Sequence, residues 1–150
     1  MKRTFTLALA VGLFLGTMTA AAQAYENKYS NWAKQECRLA RNGHWSDSEV
    51  RDLIRCAAIR VDNAKDIDAA LAIADRESGF QEHAENPYSS AAGLFQWLDS
   101  SWPGARFPAL MNRYDYPNSR YHPRAAAFVS LTAMKRWGCG AWVYSGDVLC

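Results

Sequence analysis

Apolar residues recur at helical spacing in four stretches of the chain. The first covers about Asn31–Arg41 and is closed by Asn42-Gly43, a strong helix stop. The second begins at Ser46. There Ser46 and Glu49 have capping-box spacing, and Val50, Leu53, Ile54 and Ala57 follow on one face. The third starts at Asp66, a suitable N-cap, runs through Ile67, Ala70, Leu71, Ile73 and Ala74, and meets its stop at Gly79. The fourth spans Pro123–Trp137, with proline at its first position and Gly138 just past its end. Its body, RAAAFVSLTAM, is apolar on nearly all sides, which predicts a helix buried at the centre of the domain. No sustained alternation marks a long strand, although Ser89–Trp97 has room for a short ribbon. Ser100–Tyr121 reads as an irregular loop. It holds Pro103, Gly104, Pro108 and Pro117, and its aromatics Trp102, Phe107, Tyr114, Tyr116 and Tyr121 are expected mostly to pack on the core. The pattern predicts a mainly α fold.

One polar residue interrupts the apolar face of the third helix. Helical residues advance by about 100° each. Glu77, seven positions after Ala70 and four after Ile73, therefore continues the buried stripe, whereas Asp75 and Arg76 fall elsewhere. A carboxyl in an apolar setting resists ionisation, and a glutamate that keeps its proton can donate it to a leaving oxygen. The competing reading is a solvated glutamate at a frayed helix end, paired with Arg76 or another cation.

Composition changes the picture at the chain's start. Lys2 and Arg3, the apolar run Leu7–Phe14 and the small residues ending in Ala22-Gln23-Ala24 have the layout of a cleavable secretory leader. Residues 1–24 are read as that signal peptide and residues 25–150 as one domain. The apolar run is short for a membrane span, so no stable membrane insertion is expected after cleavage, and the protein is expected outside the cytoplasm, periplasmic or extracellular. The chain has 17 Lys+Arg against 15 Asp+Glu. Two of the basic residues lie in the leader, so the remainder is formally neutral. That argues against a nucleic-acid binder, which normally shows a basic face, and leaves a neutral sugar polymer as a compatible partner.

The four cysteines, Cys37, Cys56, Cys139 and Cys150, form an even set in an exported small domain, and imply two disulfides. Three connectivities are possible. The local pairs Cys37–Cys56 and Cys139–Cys150 are preferred, each contributing roughly 2–4 kcal/mol. No C-x-x-C occurs and no histidine pair accompanies the cysteines, so no zinc site, other metal or cofactor is expected. His44, His83 and His122 read as scattered surface or structural residues. The Asp62, Asp66 and Asp68 cluster lacks the spacing and glycine of a calcium loop. Paired cysteines are not nucleophiles and no G-x-S-x-G elbow is present, which disfavours a Cys or Ser hydrolase.

Three segments in order, ALAIADRESGF, NPYSSAAGLFQW and YHPRAAAFVSLTAMKRWGCGAW, resemble the lysozyme-like soluble lytic transglycosylase superfamily. The similarity covers about Ala70–Trp142. It implies a lysozyme-like single domain with a substrate cleft, acting on peptidoglycan glycan strands as a monomer, with Glu77 as the single catalytic acid/base. Ser78 would help end the helix. The cleft would be lined by Gly93-Leu94-Phe95-Gln96, with Phe95 where many members have methionine. Gln96 would hydrogen-bond the sugar or orient the site, and Tyr121 would lie near the cleft wall. The loop between Asn86 and Gly93 is shorter than usual, so either Ser89 or Ser90 takes the family's serine role. Four cysteines also set this chain apart from most members.

The motif's chemistry agrees with a carbohydrate ligand. A sugar offers hydroxyls and apolar ring faces. Asn86, Ser89, Ser90 and Gln96 can meet the first, while Tyr88, Phe95, Trp97, Trp102 and Tyr121 can meet the second. Gly93 would allow close backbone approach to the sugar, or simply serve a turn. Ordinary glycosidases pair two carboxylates. Glu82, Glu85, Asp99 and Asp115 are the available partners, and none stands in a distinctive context. A lytic transglycosylase needs only one, because the substrate's own C6 hydroxyl replaces water and closes a 1,6-anhydro ring. A lysozyme-type hydrolase using Asp99, a non-catalytic cell-wall-binding module of the same fold, and a disulfide-stapled structural or inhibitory protein are the alternatives.

Overall fold

The structure, a computed structural model, describes Cys37 and residues 44–142. The expected leader, the first expected helix except Cys37, and Cys150 lie outside the described residues. Helix α1 is Asp47–Arg60, α2 is Ile67–Ser78, α3 is Pro108–Tyr114 and α4 is Pro123–Trp137, with short 3-10 turns at Ala64–Asp66, Gly104–Arg106 and Gly140–Trp142. Among the described residues there are isolated β-bridges but no strand, and no helix is long and apolar enough to cross a membrane.

Each helix starts where local chemistry permits. At α1 the Glu49 carboxylate reaches back to accept from the Ser46 N–H at 2.8 Å and from the Ser46 hydroxyl at 2.6 Å, which relieves unpaired donors of the first turn. At α2, Asp66 occupies the N-cap position without a side-chain cap bond. Its carboxylate instead accepts from Lys65 Nζ at 2.7 Å. At α4 the cap is His122, whose Nδ1 accepts from the Ala125 N–H at 3.4 Å, and Pro123 supplies the pre-set first helical residue.

Helix α4 is the core element that its composition predicts. Pro123 to Leu131, together with Ala133 and Met134, are buried, and α1 packs along it and also carries α2. The small residues Ala125, Ala126 and Ala127 let neighbouring backbones approach closely. Polar ties join the far end of α1 to α4. Asn63 Nδ2 donates to the Leu131 carbonyl at 3.0 Å, and Lys135 Nζ donates to the Val61 carbonyl and Asp62 Oδ2, both at 3.0 Å. The Cys37–Cys56 disulfide is formed and fastens the preceding chain to α1. The other expected pair includes Cys150, so it falls outside the description. Cys139 itself is buried, and no described cysteine is a free thiol.

Two expectations need correction. The segment Ser100–Tyr121 is not irregular throughout, because it contains α3 and the turn before it. Seven residues are too few to display a helical period, and Pro108, read as a breaker, stands at the helix start where its missing N–H costs nothing. Packing stabilises α3: Tyr114 is buried and stacks on Phe128 of α4, with ring centroids 4.2 Å apart. The short ribbon at Ser89–Trp97 reduces to two antiparallel bridges, Glu85 with Ala92 and Ala92 with Trp97.

His122 gives this fold a pH response. Burial pushes its imidazole below the ordinary value, Arg124 adds to the effect, and Glu82 opposes it. The unfolded chain then takes up this proton at higher pH than the folded one. The contribution is complete above the unfolded value of about 6.5 and is lost as pH falls towards the folded one. Protonation also removes the Nδ1 acceptor that caps α4. His122→Asn keeps a capping acceptor without titrating. Thermal melts from about pH 8 to about pH 5 are expected to show a smaller fall in Tm for this variant than for the wild type. Parallel curves would contradict the assignment.

Candidate active site

The chain makes an abrupt exit from α2. Gly79 is left-handed (φ 58°) and donates its N–H to the Asp75 carbonyl at 2.8 Å. Phe80 is also left-handed (φ 63°), unusual for an aromatic residue. Its ring is buried beneath the Arg51 guanidinium, 3.7 Å from the centroid. This burial holds the strained backbone in place. The helix therefore stops immediately beyond Glu77 and Ser78.

Ser78 couples that end to the next part of the site. Its hydroxyl is 3.0 Å from both the Ala74 carbonyl of its own helix and the Leu94 carbonyl. One hydroxyl proton is thus shared between two acceptors, and the Gly93–Gln96 turn is tied to the helix end. Gly93 is buried at φ 75°, and a Cβ there would overlap the Arg120 carbonyl oxygen. The close approach that this glycine permits is to backbone within the fold. Gln96, at φ 47°, closes the turn. Its carboxamide nitrogen donates to the Ala84 and Gly93 carbonyls, each at 3.0 Å. Both amide hydrogens are so committed that its oxygen is what it can present to a ligand.

Glu77 is half-buried and lines a cavity of about 310 Å³ together with Gln96, Trp97, Leu98, Ser101, Ala141 and Trp142. The volume lies at the lower end of the roughly 300–1,000 Å³ usual for ligand sites. Ala70, Ile73 and Ala74, the preceding residues of its stripe, are buried, so the carboxylate does extend the inward face of α2. Trp97 and Trp142 meet edge to face with centroids 4.6 Å apart. Each directs its indole N–H inward, Trp97 to Ser130 Oγ at 2.8 Å and Trp142 to the Phe95 carbonyl at 2.9 Å. Both line the cavity and are nearly buried.

The chain is similar to proteins named probable transglycosylase SceD. In Staphylococcus aureus strains Newman, USA300 and COL the match is 41% identical over 71 residues, which is 47% of this chain and 29% of each relative. The match therefore spans less than a third of those proteins' length. No protein-family model matches the chain, and no solved structure does.

The remaining expected site residues are distributed around this cavity rather than within it. Phe95 is buried, its ring 6.0 Å from that of Trp142. Ser89 and Ser90 are exposed. Ser89 Oγ accepts from the Ala91 N–H and Ser90 Oγ from the Asp99 N–H, both at 3.2 Å. Tyr121 lines two other hollows, and its hydroxyl donates to Glu85 Oε1 at 3.3 Å. Trp142 and Ser101, which do line the cavity, were missed. Both become neighbours of Glu77 only through tertiary packing, and neither carries a local signal.

The carboxylates considered as partners for Glu77 also go elsewhere. Asp99 pairs with Arg120 and lines a separate hollow with Trp102 and Tyr121. Glu85 meets Tyr121, Glu82 meets His44, and Asp115 sits exposed at the end of α3. Among the described residues, Glu77 is the one carboxylate lining its cavity.

The Ser78 tie is open to measurement. Ser78→Ala leaves two carbonyls without their shared donor and is expected to lower the free energy of unfolding by about 1–2 kcal/mol in urea titrations. Gly93→Ala is expected to cost about 2 kcal/mol or more, from the left-handed backbone and the clash with the Arg120 carbonyl. Losses of only a few tenths in both variants would contradict the described junction.

Proposed function

We propose that this chain cleaves β-1,4 glycosidic bonds of peptidoglycan glycan strands, as a lysozyme-like lytic transglycosylase acting through Glu77. The observation that carries the reading is that Glu77, at a helix end and half-buried, is the one carboxylate among the described residues lining its cavity, whose other lining residues are indoles, an amide, a hydroxyl and aliphatic groups. Such a wall suits a sugar, since Gln96 and Ser101 offer hydrogen bonds while Trp97, Leu98 and Trp142 offer apolar surface. The partial similarity to probable transglycosylases supports the same reaction class. The signal-peptide layout of residues 1–24 supports export to the compartment where peptidoglycan lies.

In this mechanism Glu77 donates its proton to the glycosidic oxygen as the bond to C1 breaks. The substrate's N-acetyl group stabilises the cationic centre. Glu77, now a carboxylate, takes the proton of the same sugar's C6 hydroxyl, whose oxygen closes on C1. Proton and bond balances are complete without water, and one carboxyl serves as acid and then base. Gln96 Oε1 is suited to accept from a sugar hydroxyl and hold the ring against Glu77. Ser78, engaged with two carbonyls, positions the acid rather than the substrate.

Digestion of purified peptidoglycan followed by mass spectrometry of the released muropeptides tests this directly. The expected products carry 1,6-anhydro ends. Reducing ends would assign a hydrolase, and no products at all would assign a non-catalytic protein. Either outcome overturns the transglycosylase reading.

A further inference from the structure

Away from the Glu77 cavity, a second cluster of reactive side chains joins two parts of the chain far apart in sequence. Glu82 lies in the loop after α2, five residues beyond Glu77. Its side chain is only 9% exposed. A carboxylate withdrawn from water to this degree needs compensating partners. Oε1 faces two imidazoles, with His44 Nδ1 at 3.0 Å and His83 Nε2 at 3.5 Å. Oε2 accepts from the Trp45 N–H at 3.4 Å. His44 and His83 are largely exposed, at 86% and 59%, and their rings meet edge to face with centroids 5.6 Å apart. Nothing in the mechanism above uses any of these groups.

The arrangement has the dimensions of a metal site. The three candidate donor atoms all lie within 4.8 Å of one another. Zinc binds imidazole nitrogen at about 2.0–2.1 Å and carboxylate oxygen at about 2.0–2.2 Å in a tetrahedron, so adjacent donors sit about 3.3–3.5 Å apart. The distances from Glu82 Oε1 to the two histidine nitrogens, 3.0 and 3.5 Å, bracket that edge. Both imidazoles are largely exposed, so their rings are free to turn toward a common ion without displacing buried side chains. Two nitrogens and one carboxylate oxygen suit a borderline first-row ion, whereas calcium and magnesium require six or more oxygen donors. The Trp45 N–H on Oε2 supplies the outer contact that orients a ligating carboxylate. A hollow of about 390 Å³, bordered by Trp45, Glu82, His83, Tyr121 and Pro123, gives access to the cluster.

We propose that His44, Glu82 and His83 bind a zinc-type divalent cation through three protein ligands, with a fourth position open to water or to a ligand donor. The ion neutralises the buried carboxylate and clasps the approach to α1 onto the loop that leaves the end of α2. The site is separate from the Glu77 cavity, and its test does not depend on turnover.

Tag-free full chain, stripped with a chelator, is titrated with Zn²⁺, Mg²⁺ or Ca²⁺ by calorimetry, with metal content and Tm measured in parallel. One Zn²⁺ per chain is expected, with a rise in Tm that Mg²⁺ and Ca²⁺ do not reproduce. His44→Ala and His83→Ala are each expected to weaken zinc binding by more than the roughly 10–100-fold that loss of an outer contact costs. Each substitution also removes a partner of the buried Glu82 carboxylate, so a lower metal-free Tm is expected for both variants and zinc affinity is the deciding readout. Absence of stoichiometric zinc binding overturns the proposal, as does zinc affinity that both substitutions leave unchanged. An equal response to magnesium would also overturn it.

Discussion

The candidate site depends on one shared proton. The Ser78 hydroxyl bridges the Ala74 and Leu94 carbonyls, and this links the final turn of α2 to the Gly93–Gln96 turn. Without that link, the end of α2 that carries Glu77 and the turn that carries Gln96 would lose their direct hydrogen-bonded tie. With it, an acid and an amide from different segments face one cavity. The link works only because the helix terminates at once. Gly79 and Phe80 both adopt left-handed backbone, and the buried Phe80 ring under Arg51 holds the second of them there. Strain next to an acid-bearing helix end is the kind of local cost that folds tolerate at functional positions.

The rest of the molecule serves as a frame for that junction. Helix α4 is buried from Pro123 to Leu131 and at Ala133 and Met134, so the elements packed on it have little freedom to shift. It also reaches the site directly, since Ser130 accepts the Trp97 indole N–H. Trp142, beyond the far end of α4, returns to donate to the Phe95 carbonyl. Both tryptophans are therefore fixed by hydrogen bonds to groups that do not line the cavity. Rigid walls of this kind hold a carboxyl in place more reliably than a mobile loop.

Much of this was legible from local pattern. The helical period placed Glu77 on the stripe of Ala70, Ile73 and Ala74, and capping chemistry located the starts of α1 and α4. Local proximity also anticipated the Cys37–Cys56 bridge. What escaped was set by contacts between distant segments. Helix α3 is too short to advertise a period and owes its stability to Tyr114 on Phe128. Gly93 looked like a place for ligand to approach backbone, but the approach it permits is by the Arg120 carbonyl. His44 and His83 appeared scattered, and no spacing rule relates them. They meet because the loop after α2 folds back onto the start of α1 with Glu82 between them.

The central claim is that Glu77 performs proton transfer in a cavity where no second described carboxylate assists it. Turnover of peptidoglycan by Glu77→Gln, measured beside strand binding and thermal stability, tests this most directly. The account predicts a fall in kcat of about 10²–10⁴-fold, the usual worth of a positioned general acid or base, with binding and Tm essentially retained. Turnover within a few-fold of the wild type would contradict it.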